Sequence, residues 1–293
     1  MANVYEWLDS GKILIGDGAM GTALQEAGLT DGGAPELWNV DHADRVAKIL
    51  RAYADAGADF ITTNSFGGTK PRLVMHDLGE RVYELNKAAS EVARKVADES
   101  NATFVFGDVG PTGELMDPLG TLTHDDAQAI FAEQIQGLVD GGCDAIIIET
   151  MSDLSEVRAA VDACKQVAPD MPIVATMSFD TNLRTMMGVK PSTAITEIAS
   201  MGVRLIGANC GRGTDEMRII TQEFVDAKPD GVHILISSNA GLPQLVGDEF
   251  VYNGTPEVMS EFVDDMHALG VNAFGACCGS NPTHIAAIAK TLH

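Results

Sequence analysis

The sequence has 293 residues, of which 42 are acidic and 19 basic, so its formal charge is −23. This acidic excess argues against nonspecific binding to nucleic acid or anionic membrane, because those surfaces reward clustered Lys and Arg. Hydrophobic residues make up 45%, as in a soluble globular protein, and no apolar run reaches the roughly 18 residues of a membrane span. The charge fits solubility, for example in a salty cytoplasm, or else an acidic docking surface for a partner.

The first residues, through Trp7, lack the basic start and apolar core of a signal peptide. We therefore expect a cytoplasmic protein. Five cysteines, an odd number, in such a chain favour reduced thiols over a disulfide framework. Metal binding and burial in the core are the two roles that remain for them.

Short β-rich runs alternate with segments of helical periodicity along the whole chain, a pattern typical of βα units on a parallel sheet. The predicted strands are 13–17, 59–65, 103–109, 145–150, 173–179, 205–210, 234–239 and 273–278. Apolar residues at three- and four-residue steps predict a helix over Arg81–Asp98. A second helix is predicted over His124–Asp140, with Thr123 as its N-cap.

Eight strands with eight crossovers in this length predict a (β/α)₈ TIM barrel, with residues 1–293 forming one domain. An open doubly wound sheet is the alternative. It would be signalled by a glycine-rich phosphate loop after the first strand, but the loop here carries Asp17 where a phosphate would approach. Two long connections, 30–42 and 110–123, follow predicted strands and are expected on the substrate face.

The residues that could carry chemistry stand at strand ends, which a barrel of this kind brings to one mouth. Cys277 and Cys278 are adjacent in a glycine-rich turn, and Cys210 ends the sixth strand. Neighbouring cysteines form disulfides only with strain. Three thiolates suit Zn²⁺ with an open fourth position, so we predict a zinc site on these three cysteines. Cys143 and Cys164 are expected to pack in the core.

A Cys₃ zinc site is suited to chemistry on sulfur, because a coordinated thiol loses its proton at neutral pH. Methyl transfer to a substrate thiol is the natural reaction. Hydrolysis is less favoured, since the sequence has no His-Glu-x-x-His motif and its seven histidines are scattered.

Two carboxylates, Asp17 and Glu149, end apolar strands, where a carboxylate is costly to desolvate unless it meets a cation or hydrogen-bond donors. A substrate ammonium group would serve, and a salt bridge or capping of backbone amides is the structural alternative. The backbone amides around Ala19 and Met20, where a helix begins, could hold a substrate carboxylate. An amino-acid thiol would satisfy both ends.

Several blocks resemble the zinc-dependent homocysteine S-methyltransferase family, and especially the homocysteine-binding barrels of cobalamin-dependent methionine synthases. They run in order through nearly the whole chain and comprise residues 17–22, 63–66, 148–150, 209–210, 239–243, 277–279 and 282–285. The resemblance implies a (β/α)₈ barrel, zinc on Cys210, Cys277 and Cys278, and homocysteine bound through Asp17, the Ala19–Met20 backbone and Glu149. Asn64 and Asn209 belong to the same blocks and are further expected substrate contacts.

The chain departs from the family where Ala276 replaces the usual second glycine before the cysteine pair, and where Thr150 stands in place of the aromatic of betaine-using members. Few aromatic residues are available for a cage around a quaternary ammonium, which argues against betaine. The chain ends at His293 without folate or corrinoid modules, so we expect the methyl donor to be a separate corrinoid protein or a small sulfonium such as S-methylmethionine. Methylation of a different thiol and a non-catalytic zinc- or homocysteine-binding subunit are the alternative functions.

Overall fold

The computed structural model describes residues 3–30, 32–180, 182–246 and 249–293. Its strands are β1 Leu14–Ile15, β2 Phe60–Thr62, β3 Phe104–Val109, β4 Ala145–Met151, β5 Ile173–Met177, β6 Leu205–Cys210, β7 His233–Ser238, β8 Pro243–Val246, β9 Glu249–Tyr252 and β10 Ala273–Ala276. The long connection 30–42, whose Asp31 lies outside the described residues, contains a 3₁₀ turn at Pro35–Leu37, and a second 3₁₀ turn lies at Gly79–Arg81.

The α-helices alternate with the strands. They are α1 Val4–Asp9, α2 Met20–Glu26, α3 Trp38–Asp41, α4 Ala43–Asp55, α5 Lys70–Val74, α6 Val82–Asp98, α7 His124–Asp140, α8 Leu154–Val167, α9 Pro191–Ser200, α10 Thr214–Ala227, α11 Pro256–Ala268 and α12 Pro282–Leu292. The Thr123 side chain accepts the N–H of Asp126 and so caps α7, as predicted. No helix among the described residues is long and apolar enough to cross a membrane.

Eight parallel strands form one sheet in the order β1-β10-β7-β6-β5-β4-β3-β2. The two outermost strands, β1 and β2, meet at a seam that contains few backbone bonds. There the N–H of Asp59 donates to the carbonyl of Ile15 at 2.6 Å, and the N–H of Ile15 donates to the Asp59 carboxylate at 2.8 Å. The sheet therefore closes into a barrel, and the predicted (β/α)₈ fold class is confirmed.

One apolar layer fills the barrel interior and a larger one lies between the sheet and the helices. The interior layer takes one or two side chains from each barrel strand, together with two from α1: Val4, Leu8, Leu14, Phe60, Phe104, Phe106, Ala145, Ile147, Val174, Leu205, Leu235 and Ala273. Most of these residues stand at the beginnings of their strands. Because Val4 and Leu8 of α1 pack against them, α1 covers the N-terminal end of the barrel. The C-terminal end is left for the site.

The structure differs from the predicted elements mainly at the edges. The second strand ends at Thr62 rather than Ser65, because the chain turns there and the N–H of Ser65 bonds to the carbonyl of Thr63. The antiparallel hairpin of β8 and β9 was not predicted. It is inserted between β7 and α11, outside the βα alternation that guided the prediction.

Candidate active site

A cavity of about 590 Å³ opens at the C-terminal ends of the barrel strands. All the site residues predicted from the sequence line it: Asp17, Ala19, Met20, Asn64, Glu149, Asn209, Cys210, Cys277 and Cys278. The connection 30–42 contributes Pro35 and Glu36 to the wall, whereas no lining residue comes from 110–123. The convergence expected from strand-end positions is therefore present.

The three cysteines form one cluster, with their sulfur atoms within 4.8 Å of one another. The Sγ of Cys277 lies 2.8 Å from that of Cys210 and 3.9 Å from that of Cys278. The turn after β10 is held against β7, because the N–H of Cys277 donates to the Ser238 carbonyl and the Cys278 carbonyl accepts the N–H of Ala240. These backbone bonds bring the adjacent pair towards Cys210 across β7.

The three cysteine sulfur atoms fit a divalent soft metal ion. Hydrogen bonds from Cys210 and Cys277 lower the pKa of Cys278 to about 3, whereas the bonds to Cys210 and Cys278, together with burial, raise the pKa of Cys277. One thiolate is thus readily formed, and a second beside it is disfavoured unless a cation neutralises the charge.

Close by, the Asn239 side chain donates to the Gly211 carbonyl, while its own buried oxygen has no protein partner among the described residues.

Cys143 and Cys164 lie away from this cluster and are buried in the layer between sheet and helices. Burial raises the pKa of the Cys143 thiol to about 12 and that of the Cys164 thiol further still. Both therefore pack as neutral apolar side chains, as the sequence analysis expected.

Carboxyl groups form another part of the cavity wall. Burial raises the pKa of Asp17 to about 7, although hydrogen bonds from Thr62 oppose the shift. Burial, and then the charges of Asp17 and Cys278, raise the pKa of Glu149 to about 8. Glu149 is half-buried and accessible from the cavity, whereas Asp17 is buried. The wall is therefore built to receive a cation.

Asp108 is a third carboxyl in this wall, to which the sequence analysis assigned no role. It is buried, and its Oδ1 has no hydrogen-bond partner among the described residues. Burial and the neighbouring Glu149 charge raise its pKa well above the usual range. The signal for it was its position at the end of the third strand, the same signal that pointed to Asp17 and Glu149.

The outer part of the cavity contains charged side chains that no sequence pattern indicated. Arg72 and His76 line it together with Glu36, which is buried and accepts the N–H of Gly67 at 2.7 Å. All three belong to the connections that follow β1 and β2. Connections of this kind have no strand-end signature, so their place in the wall is visible only in three dimensions.

The remaining predicted contacts already have partners within the protein. Asn64 donates to the Pro35 carbonyl at 2.7 Å and to the Asn39 side chain at 3.1 Å. The N–H of Ala19 donates to the Ser280 hydroxyl at 3.1 Å, and α2 begins at Met20 without a side-chain cap. Their contact with a substrate remains a prediction.

Comparison with known proteins places this site in a family. The model of the homocysteine S-methyltransferase family matches residues 14–292. Methionine synthase of Mycobacterium tuberculosis is 32% identical over 298 residues, which cover 97% of this chain and 25% of that protein. Methionine synthase of Mycobacterium leprae is 31% identical, with 96% and 24% covered. The chain thus spans about a quarter of the length of these relatives.

Solved structures give the same fold. The Escherichia coli homocysteine methyltransferase MmuM superposes with a TM-score of 0.80 in both its oxidized and its metallated form, at 21% and 22% identity. In each case the match covers 97% of both chains. The resemblance found in the sequence and the barrel fold are therefore confirmed, and the chain belongs to the homocysteine S-methyltransferase family of enzymes.

Proposed function

We propose that the protein transfers a methyl group to the thiol of homocysteine, giving methionine, with Zn²⁺ bound by Cys210, Cys277 and Cys278. The observation that carries the proposal is that two unlike sets of side chains line one cavity. The first set is three thiols within 4.8 Å of one another, and the second is the buried or half-buried carboxyls of Asp17, Asp108 and Glu149. Homocysteine has a thiol for the first set and an ammonium group for the second.

The choice of zinc rests on the ligands. Three sulfur donors favour a soft, tetrahedral ion and leave one position for the substrate. When bound, zinc lowers the pKa of a coordinated thiol, so that the substrate sulfur is a thiolate at neutral pH. The metallated form of the E. coli relative and the Cys₃ cluster of this chain support a bound metal.

The other cavity residues orient the substrate. Asp17 and Glu149 receive the ammonium group and hold it by charge, and a buried carboxylate gains most from such a partner. The substrate carboxylate lies towards Ala19 and Met20, at the beginning of α2, and Asn64 borders the same region. In the transfer, the new bond joins the substrate sulfur to the methyl carbon as the bond from that carbon to the donor breaks.

The methyl donor is a methylated corrinoid on a separate protein or a small sulfonium such as S-methylmethionine. The similarity to relatives named methionine synthase supports the corrinoid donor. Reduced thiols at the site fit the cytoplasm, where disulfides are rare, and we place the reaction there.

The experiment is a donor panel with zinc-loaded protein and homocysteine. Methylcobalamin, a methylated corrinoid protein, S-methylmethionine, betaine and dimethylsulfoniopropionate are offered in turn, and methionine is measured. Methionine from a corrinoid or sulfonium donor is the expected result. Binding of zinc and homocysteine without product from any donor would favour a non-catalytic binding subunit, and product only with another thiol would overturn the assignment of homocysteine.

A further inference from the structure

The side-chain amide of Asn209 is buried between three strands, and all its bonding capacity is used. Its Oδ1 accepts the backbone N–H of Thr150 at 2.9 Å and the hydroxyl of Thr176 at 2.8 Å. Its Nδ2 donates to the Thr150 hydroxyl at 2.7 Å and to the Sγ of Cys210 at 3.5 Å. An amide has two acceptor and two donor positions. Asn209 therefore links β4, β5 and β6 and has no position left for a substrate.

Both residues that Asn209 holds have strained backbones. Thr150 has φ of 59° and Cys210 has φ of 60°. The left-handed region is costly for residues with a Cβ and especially for a β-branched residue such as threonine. Such conformations persist only where the surroundings enforce them. The bonds between Asn209 and the N–H and hydroxyl of Thr150 are part of that restraint, and the pairing of Cys210 with Ser238 is another part.

The strain at Thr150 has a visible effect on β4. Ile148 pairs with Ala175 and Met151 pairs with Met177, so β4 carries one extra residue there. Ile147 faces the barrel interior, whereas Met151 packs in the outer layer. Between them, Glu149 and Thr150 both line the cavity. Because Ala145 and Ile147 face the interior, regular alternation already turns Glu149 inward and would turn Thr150 outward. The bulge brings Thr150 to the mouth as well, directly beside Glu149.

We propose that Asn209 is a positioning residue, which holds the thiol of Cys210 and the carboxylate of Glu149 in one fixed relation without touching the substrate itself. This inference rests on the proposed function, because it assigns Cys210 to the metal and Glu149 to the substrate ammonium. Removing the amide frees both strained residues at once. Homocysteine affinity and metal affinity should then fall together, although Asn209 belongs to neither set of ligands.

The test uses the variants N209A and T150G and the double variant, with Asn86→Ala as the matched control. Asn86 is also a fully buried amide bonded to backbone carbonyls, but it lies outside the cavity lining. Three quantities are measured: zinc affinity by chelator competition, homocysteine affinity by calorimetry, and the sulfur-to-metal charge-transfer spectrum of the cobalt-loaded protein. None of the three needs turnover.

In N209A, zinc affinity should fall about 10- to 100-fold, as for other groups that orient metal ligands. Homocysteine affinity should fall by a similar factor, and the cobalt spectrum should change. In T150G, glycine adopts the left-handed conformation without strain, so the further loss of Asn209 should cost less homocysteine affinity than it does in the wild type. N86A should lower thermal stability and leave both affinities unchanged.

Wild-type affinities in N209A would overturn this inference and leave the proposed function intact. Losses in N86A equal to those in N209A would overturn it too, because they would mark a general loss of structure. Strictly additive losses in the double variant would overturn the role given to the Thr150 backbone. A wild-type protein that binds neither zinc nor homocysteine would overturn the proposed function and this inference with it.

Discussion

The carboxylate of Asp17 accepts both the backbone N–H and the hydroxyl of Thr62, at 2.7 and 3.0 Å. This contact lies at the seam between β1 and β2, where the strands themselves are two and three residues long. Asp17 also lines the cavity. One carboxylate therefore helps to close the barrel and at the same time faces the cavity, so this structural role and the proposed binding role can be separated by substitution.

We expect Asp17→Asn and Asp17→Ala to differ in stability but not in function. Asn keeps an oxygen that can accept the Thr62 N–H, whereas Ala leaves that buried donor unpaired, at a cost of about 1–3 kcal/mol. Both variants lack the charge proposed to hold the substrate ammonium, so both should bind homocysteine at least about tenfold more weakly. Thermal unfolding and calorimetry measure the two effects. Full homocysteine affinity in Asp17→Asn would contradict the role of the charge.

Comparing Asp17→Asn with the wild type predicts a pH dependence of the free energy of unfolding. Its sign follows from the raised pKa of Asp17. The folded pKa of about 7 lies above the ordinary aspartate value of 3.8, so folding favours the protonated carboxyl. Its contribution to stability is complete below about pH 4 and is lost as the pH rises to about 7. Asn does not titrate. The stability of Asp17→Asn relative to the metal-free wild type should therefore rise over this interval, by at most about 4 kcal/mol.

Chemical denaturation of the metal-free proteins at pH 4, 5.5, 7 and 8 measures this difference. It should change between pH 4 and 7 and level off above that. A difference that stays constant from pH 4 to 8 would show that Asp17 titrates normally in the folded protein.

Cys277→Ala should remove the metal, because the two remaining thiols cannot complete a Cys₃ set. We expect less than stoichiometric zinc after dialysis and no methyl transfer. Cys164→Ala is the control, because Cys164 is fully buried in α8 and outside the cluster. It should keep zinc and activity and lose about 1 kcal/mol of stability. Elemental analysis decides the matter, and stoichiometric zinc in Cys277→Ala would refute the site.

Gly207 in β6 should tolerate no side chain. A Cβ there would stand 1.7 Å from the carbonyl oxygen of Leu235 in the neighbouring strand β7, and this backbone atom cannot move without breaking the pairing of β6 and β7. We expect Gly207→Ala to cost about 3 kcal/mol or more. Gly21→Ala, in α2 with nothing within 4 Å of the added carbon, should gain about 0.5–1 kcal/mol. Denaturant unfolding compares them, and equal stabilities would contradict the packing described here.

The barrel and the cysteine cluster could be predicted because each depends on local signals. Apolar strands that end in polar residues mark one mouth, and the adjacent pair Cys277 and Cys278 marks the candidate metal site. The predicted strand ends differ from the observed ones by no more than three residues. This agreement is enough to place every predicted strand-end residue at the C-terminal end of the barrel.

Other features depend on contacts that no local pattern encodes. The hydrogen bonds of Asp17 span 45 positions and those between Asn209 and Thr150 span 59. The bulge in β4 is a matter of register against β5, which a stretch of sequence read alone does not contain. Asn209 is accordingly predicted from the sequence as a substrate contact, whereas its bonds to Thr150 and Cys210 are visible only with the strands side by side.

Val4 and Leu8 of α1 cover the N-terminal end of the barrel interior, and this has a kinetic consequence. Among the described residues, the cavity opens at the strand ends, and a ligand that enters there also leaves there. A donor standing in that mouth would block the way to the sulfur cluster. Under the proposed function, homocysteine must bind first, the donor second, and methionine must leave last. Turnover should thus follow an ordered sequential scheme, with methionine competing against homocysteine and not against the donor.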